Sequence, residues 1–286
     1  MVHALRFSGL NLEFHLNPVA FSIKGINIYW YGLIIMVGML LALWYAILRA
    51  KEFNLNLDLV CSFATCAIIF GVVGTRLYEV AFNHGQIEKF WDIVNLRNGG
   101  LAIYGGLIGG AIAIFIFSKF KRINFFAVTD LFAGSVLIGQ ALGRWGNFFN
   151  MEAFGINTKL PWGMTSLPIQ NTLTEMKASG LNVDPQVPVH PCFFYESLWC
   201  LIGFAIVAGY TKHRKFNSEL TLIYAMWYGC GRFFIEFLRS DHLVFLGVNV
   251  SQAVSVLFCI GSWYGRRHYL KMKNKARNAI EAAEIT

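Results

Sequence analysis

Seven stretches of this chain are too long and too apolar to serve as strands or core helices of a water-soluble domain, and they decide the fold class. They run Ile28–Leu48, Leu59–Phe82, Leu101–Phe117, Phe125–Phe149, Phe193–Tyr210, Leu220–Leu238 and Val244–Tyr264. A helix that crosses the hydrocarbon core of a bilayer needs about 20 predominantly apolar residues. The chain is 56% hydrophobic and only 14% charged, against about a quarter charged in average soluble domains. A soluble fold of this size would have too little polar surface to cover itself. The sequence predicts an all-α membrane protein with seven transmembrane helices.

The formal charge of +8 does not form the single basic patch that a nucleic acid would need. It falls in short runs between the apolar stretches, which fixes an orientation because basic loops remain cytoplasmic. Arg49 and Lys51 follow span one. Lys119, Lys121 and Arg122 follow span three. Lys212, Arg214 and Lys215 follow span five, and Arg266, Arg267, Lys271, Lys273, Lys275 and Arg277 follow span seven. These are fourteen of the 24 basic residues. The other side holds Arg6, Lys24, Lys89, Arg97, Lys159 and Lys177. The expected topology is N-terminus outside and C-terminus cytoplasmic. Residues 1–27 lack the charged lead into an apolar run that marks a secretory signal, and are expected to lie along the membrane surface. Residues 28–149 hold spans one to four, and 192–264 hold spans five to seven. Residues 265–286 form a basic cytoplasmic tail. Between the two span groups, 150–191 contains five of the six prolines and reads as a small irregular head domain on the outer face. Long loops on a membrane scaffold usually serve function.

Ionisable residues inside spans are costly and mark function. Arg76 ends span two on the outer side, and Tyr104 begins span three there. Arg144, Asn147, Asn150 and Glu152 close span four, Glu196 opens span five, and Arg232, Glu236 and Arg239 lie in the outer half of span six. Five helices thus bring polar groups to one depth, with Asp130 the exception near the cytoplasmic side. Tyr224, Tyr228, Arg232, Glu236 and Arg239 recur at helical spacing and share one face. Arginines facing one another within an apolar wall suit a lipid phosphate, because guanidinium stays charged and offers paired donors. A purely structural account would instead pair Arg232 with Glu236 and Arg239 with Asp241. Gly105, Gly106, Gly109 and Gly110 form two overlapping G-x-x-x-G pairs, and Gly71 with Thr75 a small-x-x-x-small pair, which allow close helix approach. Gly105 and Gly106 also adjoin Tyr104, where backbone can approach a head group. The six cysteines make no C-x-x-C pair and no zinc spacing, and most lie in apolar segments as small hydrophobes. No metal or other cofactor is expected. His190 is the only histidine next to the outer site, a hydrogen-bonding group or a base.

The segment Gly143-Arg144-Trp145-Gly146-Asn147-Phe148-Phe149-Asn150-Met151-Glu152-Ala153-Phe154-Gly155 matches G-R-x-G-N-F-x-N-x-E-x-x-G at every fixed position. In this the chain resembles the prolipoprotein diacylglyceryl transferases. Trp30-Tyr31-Gly32, Gly99-Gly100 ahead of Tyr104-Gly105-Gly106, His190-Pro191 with Tyr195-Glu196, and Tyr228-Gly229 leading to Arg232, Glu236 and Arg239 extend the resemblance over roughly 18–264. The resemblance implies an enzyme of the bacterial inner membrane with its site facing the outer leaflet. Its partners would be phosphatidylglycerol and the signal peptide of a prolipoprotein, whose lipobox cysteine accepts the diacylglyceryl group. It implies that Arg144 and Arg232 contact the phospholipid head group, that Asn147, Glu152 and Tyr31 are important, and that Glu196, Tyr228 and Glu236 support the site. One departure stands out. Many Gram-negative members carry His-Gly-Gly where this chain has Tyr104-Gly105-Gly106. A tyrosine, with a reference pKa of about 10, is a poor base near neutrality.

The implied reaction is alkyl transfer to sulfur. The substrate cysteine reacts as thiolate, and arginines around the departing phosphate would act as electrostatic catalysts. Catalytic roles are expected for Arg144, Arg232, Tyr104, Glu152 and Asn147. Substrate contacts are expected from Arg144, Tyr31, Arg76, Asn150, Glu196, Tyr228, Glu236, Arg239, Gly105, Gly106 and His190. A lipid transporter would also set arginines against a phosphate, but would need polar residues continuing to the inner leaflet. A seven-span receptor has no use for the outer arginine cluster.

Overall fold

The computed structural model describes residues 2–82, 103–240, 244–245 and 248–284. Lys89, Arg97, Gly99, Gly100, Leu101 and Asp241 lie outside them. Eight α-helices occur among the described residues: α1 (Trp30–Arg49), α2 (Leu57–Phe82), α3 (Ile103–Lys121), α4 (Phe125–Asn150), α5 (Leu167–Ala178), α6 (Cys192–Tyr210), α7 (Glu219–Glu236) and α8 (Val250–Glu284). Seven strands accompany them: β1 (His3–Phe7), β2 (Leu12–Leu16), β3 (Val19–Ile23), β4 (Ile26–Tyr29), β5 (Met164–Ser166), β6 (Val244–Phe245) and β7 (Val248–Asn249).

Five helical segments are long and apolar enough to cross a membrane: Trp30–Phe53, Leu57–Ala81, Tyr104–Lys121, Phe125–Asn150 and Cys192–His213. The chain is a multi-pass membrane protein by that measure. Helices α7 and α8 are not among the five. In α7, Glu219, Arg232 and Glu236 interrupt an 18-residue helix. In α8 the apolar run begins late, because Val244–Phe245 and Val248–Asn249 form an antiparallel hairpin instead of extending it. The helix then runs on through the basic segment to Glu284 without a break. The tail that the sequence set apart is thus helical and continuous with α8.

The chain divides into two compact units, Met1–Ala42 with Ala133–Thr286, and Leu43–Phe132, with the boundary passing through α1 and α4. In the second unit, α2 packs along α3 through a glycine seam. A Cβ on Gly74 would lie 2.3 Å from the Gly105 carbonyl oxygen, and one on Gly109 2.3 Å from that of Phe70. Only hydrogen fits at such contacts, so the backbones touch. Phe63 stands edge-on to Phe117 with centroids 4.9 Å apart, and Asp130 is buried at 1% exposure.

The first unit holds a small β-layer that the sequence did not reveal. β1 pairs antiparallel with both β2 and β5, in the order β2-β1-β5. The N-terminal segment and the connection 150–191 therefore share one sheet. That connection, expected to be irregular, also carries α5, whose N-terminus is capped by the Ser166 hydroxyl accepting from the Ile169 N–H. Leu5, Leu16, Met151, Phe154, Met164, Ile169, Leu173 and Val189 bury their side chains together beneath the sheet with Phe148 of α4 and Phe193 of α6. This core ties the layer to the ends of the two helices that carry Arg144 and Glu196. Between α6 and α7, Trp199 and Trp227 stack at 4.3 Å, each indole N–H donating to the other's backbone carbonyl at 2.9 Å. Gly231 lies beneath Trp199, and Gly203 beneath Trp227.

Candidate active site

The end of α4 builds one side of the site. Gly146 has no Cβ because the ring of Tyr31 occupies the space, its Cδ2 2.4 Å from where a Cβ would stand. The helix stops at Asn150. Met151 (φ 54°) and Ala153 (φ 53°) then adopt left-handed backbone on either side of Glu152. For non-glycine residues this costs roughly 1–2 kcal/mol each, and strain of this kind gathers at functional sites. Its effect is to fold the Glu152 carboxylate back over the last turn. Glu152 Oε1 accepts from Asn147 Nδ2 at 2.9 Å and from Asn150 Nδ2 at 3.2 Å. Glu152 and Arg144 both act electrostatically on the Tyr31 hydroxyl. The next residues continue the frame. Gly155 bridges Arg239 in antiparallel fashion, with its N–H on the His190 carbonyl at 2.8 Å and the Ile156 N–H on that of Leu238 at 2.7 Å.

At the centre stands Glu196, one turn into α6 and 4% exposed. Three arginines from two other segments meet its carboxylate. Arg144 Nη2 lies 2.6 Å from Oε2, and Arg232 Nη1 and Arg239 Nη1 lie 3.0 and 3.1 Å from Oε1. Arg232 also pairs through Nη2 with Glu236 one turn on. Glu236 is fully buried and accepts from Asn249 Nδ2 at 3.1 Å. Ser251 at the start of α8 lies 3.5 Å from Arg232 Nη2. Tyr228, on the same face of α7, lies within the electrostatic reach of Arg144, Glu196 and Arg232. Among the described residues, three guanidiniums and two carboxylates meet here in a largely buried place, where each charge depends on its partners.

The pairing expected between Arg232 and Glu236 is present. Arg239 meets Glu196, and its expected partner Asp241 lies outside the described residues. Sequence reasoning placed Glu196 among the supporting residues and missed that it gathers three arginines. Asn249 and Ser251 were missed as well. They sit at the start of the last helix, next to a hairpin with no sequence signature of its own. Arg76, Tyr104, Gly105 and Gly106 belong to the second unit. There Tyr104 is the second residue of α3 and 37% exposed. The face of Gly105 is filled by Gly74 and Tyr78 of α2, so packing accounts for that glycine. His190 sits outside the helices. The Trp162 indole N–H donates to the Tyr195 hydroxyl oxygen at 2.6 Å, and that hydroxyl lies 3.2 Å from His190 Nδ1. Burial holds the imidazole below its usual pKa, consistent with a neutral ring whose Nδ1 accepts from the tyrosine. Among the described residues no group of three or more His, Cys, Asp or Glu side chains gathers to hold a metal.

Apolar helices long enough to span a bilayer, with a buried cluster of arginines and carboxylates among them, define a class: a multi-pass membrane protein with a charged site among its helices. Residues 18–265 match the family model described as prolipoprotein diacylglyceryl transferase, and the chain belongs to that family. A phosphatidylglycerol–prolipoprotein diacylglyceryl transferase of Clostridioides difficile is 39% identical over 91% of this chain and 98% of its own length. One from Clostridium perfringens is 37% identical over 85% and 90%, and one from Streptococcus equi subsp. zooepidemicus 38% identical over 86% and 92%.

Proposed function

We infer that this chain transfers the diacylglyceryl group of phosphatidylglycerol to the thiol of a prolipoprotein's lipobox cysteine, the first step of lipoprotein maturation. The observation that carries the chemistry is the convergence of Arg144, Arg232 and Arg239 on the one buried carboxylate of Glu196. Glu196 sets the three guanidiniums before substrate arrives, so their charge costs no reorganisation during reaction. Their net positive field suits the negative charge of a phosphodiester. The thiolate sulfur attacks the glycerol carbon that bears the phosphate ester. A C–S bond forms, the C–O bond breaks, and its electron pair leaves on glycerol-1-phosphate. Charge on that phosphate rises as the bond breaks, and the arginines stabilise it then more than in the ground state. The same field lowers the pKa of an incoming thiol, which starts near 8.5, so water suffices to take the proton. Tyr104 then positions lipid rather than accepting a proton. Asn147, Asn150, Glu152 and Tyr31 line the mouth of the site, and Tyr228 and Glu236 support its wall.

The same reading places seven spans in the inner membrane, with α7 and the apolar part of α8 as the last two. The N-terminus and the 150–191 head lie outside, the C-terminus lies in the cytoplasm, and the site faces the outer leaflet. The basic runs on one side support it. The test is release of glycerol-1-phosphate by purified protein given phosphatidylglycerol and a lipobox peptide. Release in step with peptide consumption is expected. Equal release with a Cys→Ser peptide would show phospholipid hydrolysis instead and overturn the transfer.

A further inference from the structure

The last helix carries a second place suited to an anion, far along the chain from the Glu196 cluster. Past its apolar run α8 has two faces with different tasks. One is anchored. Arg266 Nε donates to Glu219 Oε1 at 3.0 Å, and Glu219 is fully buried at the start of α7. Tyr269 stacks on Phe216 at 4.3 Å, and Lys273 Nζ donates to the Lys215 carbonyl at 2.6 Å. These contacts dock this face of the helix against the start of α7 and the residues before it.

The other face is open. Trp263, Tyr264, Arg267, His268 and Lys271 lie exposed side by side along it. Trp263 is 53% and Tyr264 64% exposed. The Arg267 guanidinium lies over the Trp263 ring, 5.0 Å from its centroid, and the His268 ring stacks along that of Tyr264. No acidic residue occurs between Asp241 and Glu281, so nothing on this helix face neutralises Arg267 and Lys271. Exposed indole and phenol rings at the end of an apolar helix belong at the depth of lipid head groups. Basic side chains at that depth attract anionic lipid, and guanidinium takes phosphate in paired fashion.

We propose that this face of α8 binds the phosphate of an anionic phospholipid in the cytoplasmic leaflet, with the two aromatic rings against its glycerol and upper acyl chains. The leaflet rests on the inferred topology; the binding does not. The site is distinct from the Glu196 cluster, and its ligand is a structural lipid that is not consumed.

The test uses the full chain in detergent, with native mass spectrometry reading bound phosphatidylserine, an anionic lipid chosen because it is not the inferred substrate. Wild type should retain phosphatidylserine over phosphatidylcholine. R267Q/K271Q should weaken that retention at least fivefold while keeping transferase activity in phosphatidylglycerol micelles. R267K, which keeps the charge, should recover part of it. K119Q/K121Q removes two basic charges from the last turn of α3 and should bind as wild type does. Unchanged retention in R267Q/K271Q would overturn the proposal, as would equal loss in K119Q/K121Q, which would reduce the patch to diffuse charge. Displacement by inorganic phosphate at matched concentration would also overturn it, because the site would then read a free anion. Loss of activity in wild type speaks to the transfer reaction, and an inverted C-terminal reporter to the leaflet, each independently of this binding.

Discussion

Replacing Glu196 with glutamine keeps its shape and removes its charge, and the cluster geometry sets the consequence. With the amide oxygen in place of Oε1 it can still accept from Arg232 and Arg239, but the amide N–H groups then face Arg144. Arg144, Arg232 and Arg239 are all bonded to this carboxylate, and all three would lose it at once. Removing one partner of a buried ion pair costs about 3–5 kcal/mol. If the lower bound appears in the transition state as misplaced arginines, turnover falls roughly 100-fold or more. The substitution also removes one negative charge from the cluster, which strengthens attraction for an anionic lipid. The expected signature is therefore split: kcat falls at least 100-fold, KM for phosphatidylglycerol stays level or drops, and thermal stability in detergent declines. The assay is label transfer from phosphatidylglycerol to a lipobox peptide across lipid concentrations. Wild-type kcat in E196Q with unchanged stability would refute the view that Glu196 sets the arginines. A loss confined to KM would refute the transition-state role.

Arg144→Lys retains charge but loses the planar fork, so it should lose most activity, and Arg144→Ala should abolish it, both read in the same assay. Tyr104→Phe should lose little turnover. A loss of about 100- to 10,000-fold with intact lipid binding would assign Tyr104 as the general base. Gly74→Ala forces a Cβ to within 2.3 Å of the Gly105 carbonyl oxygen, an overpacking that costs about 1–3 kcal/mol. Its thermal midpoint should fall, while Gly139→Ala, with no atom within 4 Å of the new Cβ, should hold. A reporter fused after Thr286 should be active in the cytoplasm, and one inserted near Thr174 outside.

The helices were largely legible because the bilayer imposes length and hydropathy on each span. Leu59–Phe82 was expected and Leu57–Phe82 is helical; Phe125–Phe149 was expected and Phe125–Asn150 is helical. The last span was expected at Val244–Tyr264, and the helix there runs Val250–Glu284. The paired segments Val244–Phe245 and Val248–Asn249 are as apolar as a helix there, and the basic segment after Tyr264 is helical. The pairing of β1 with Met164–Ser166 was missed because no local pattern records so distant a partner, whereas β1 with β2 and β3 with β4 pair over short separations. Within the site, the i, i+4 spacing of Tyr228, Arg232 and Glu236 fixed one face of α7. Which carboxylate the arginines would share depended on how α4, α6 and α7 pack, and on the Trp199–Trp227 pair that joins α6 to α7. The left-handed turn at Met151 and Ala153 left no glycine to announce it.

The central claim is that diacylglycerol moves to sulfur, and the product itself tests it most directly. Purified protein would be incubated with phosphatidylglycerol and a lipobox peptide, and the peptide analysed by mass before and after alkaline hydrolysis. The account predicts a mass gain of one diacylglyceryl group on the cysteine, reduced by alkali to a glyceryl group that stays attached through its thioether. A peptide that gains nothing, or one that loses the whole adduct to alkali as a thioester would, contradicts it.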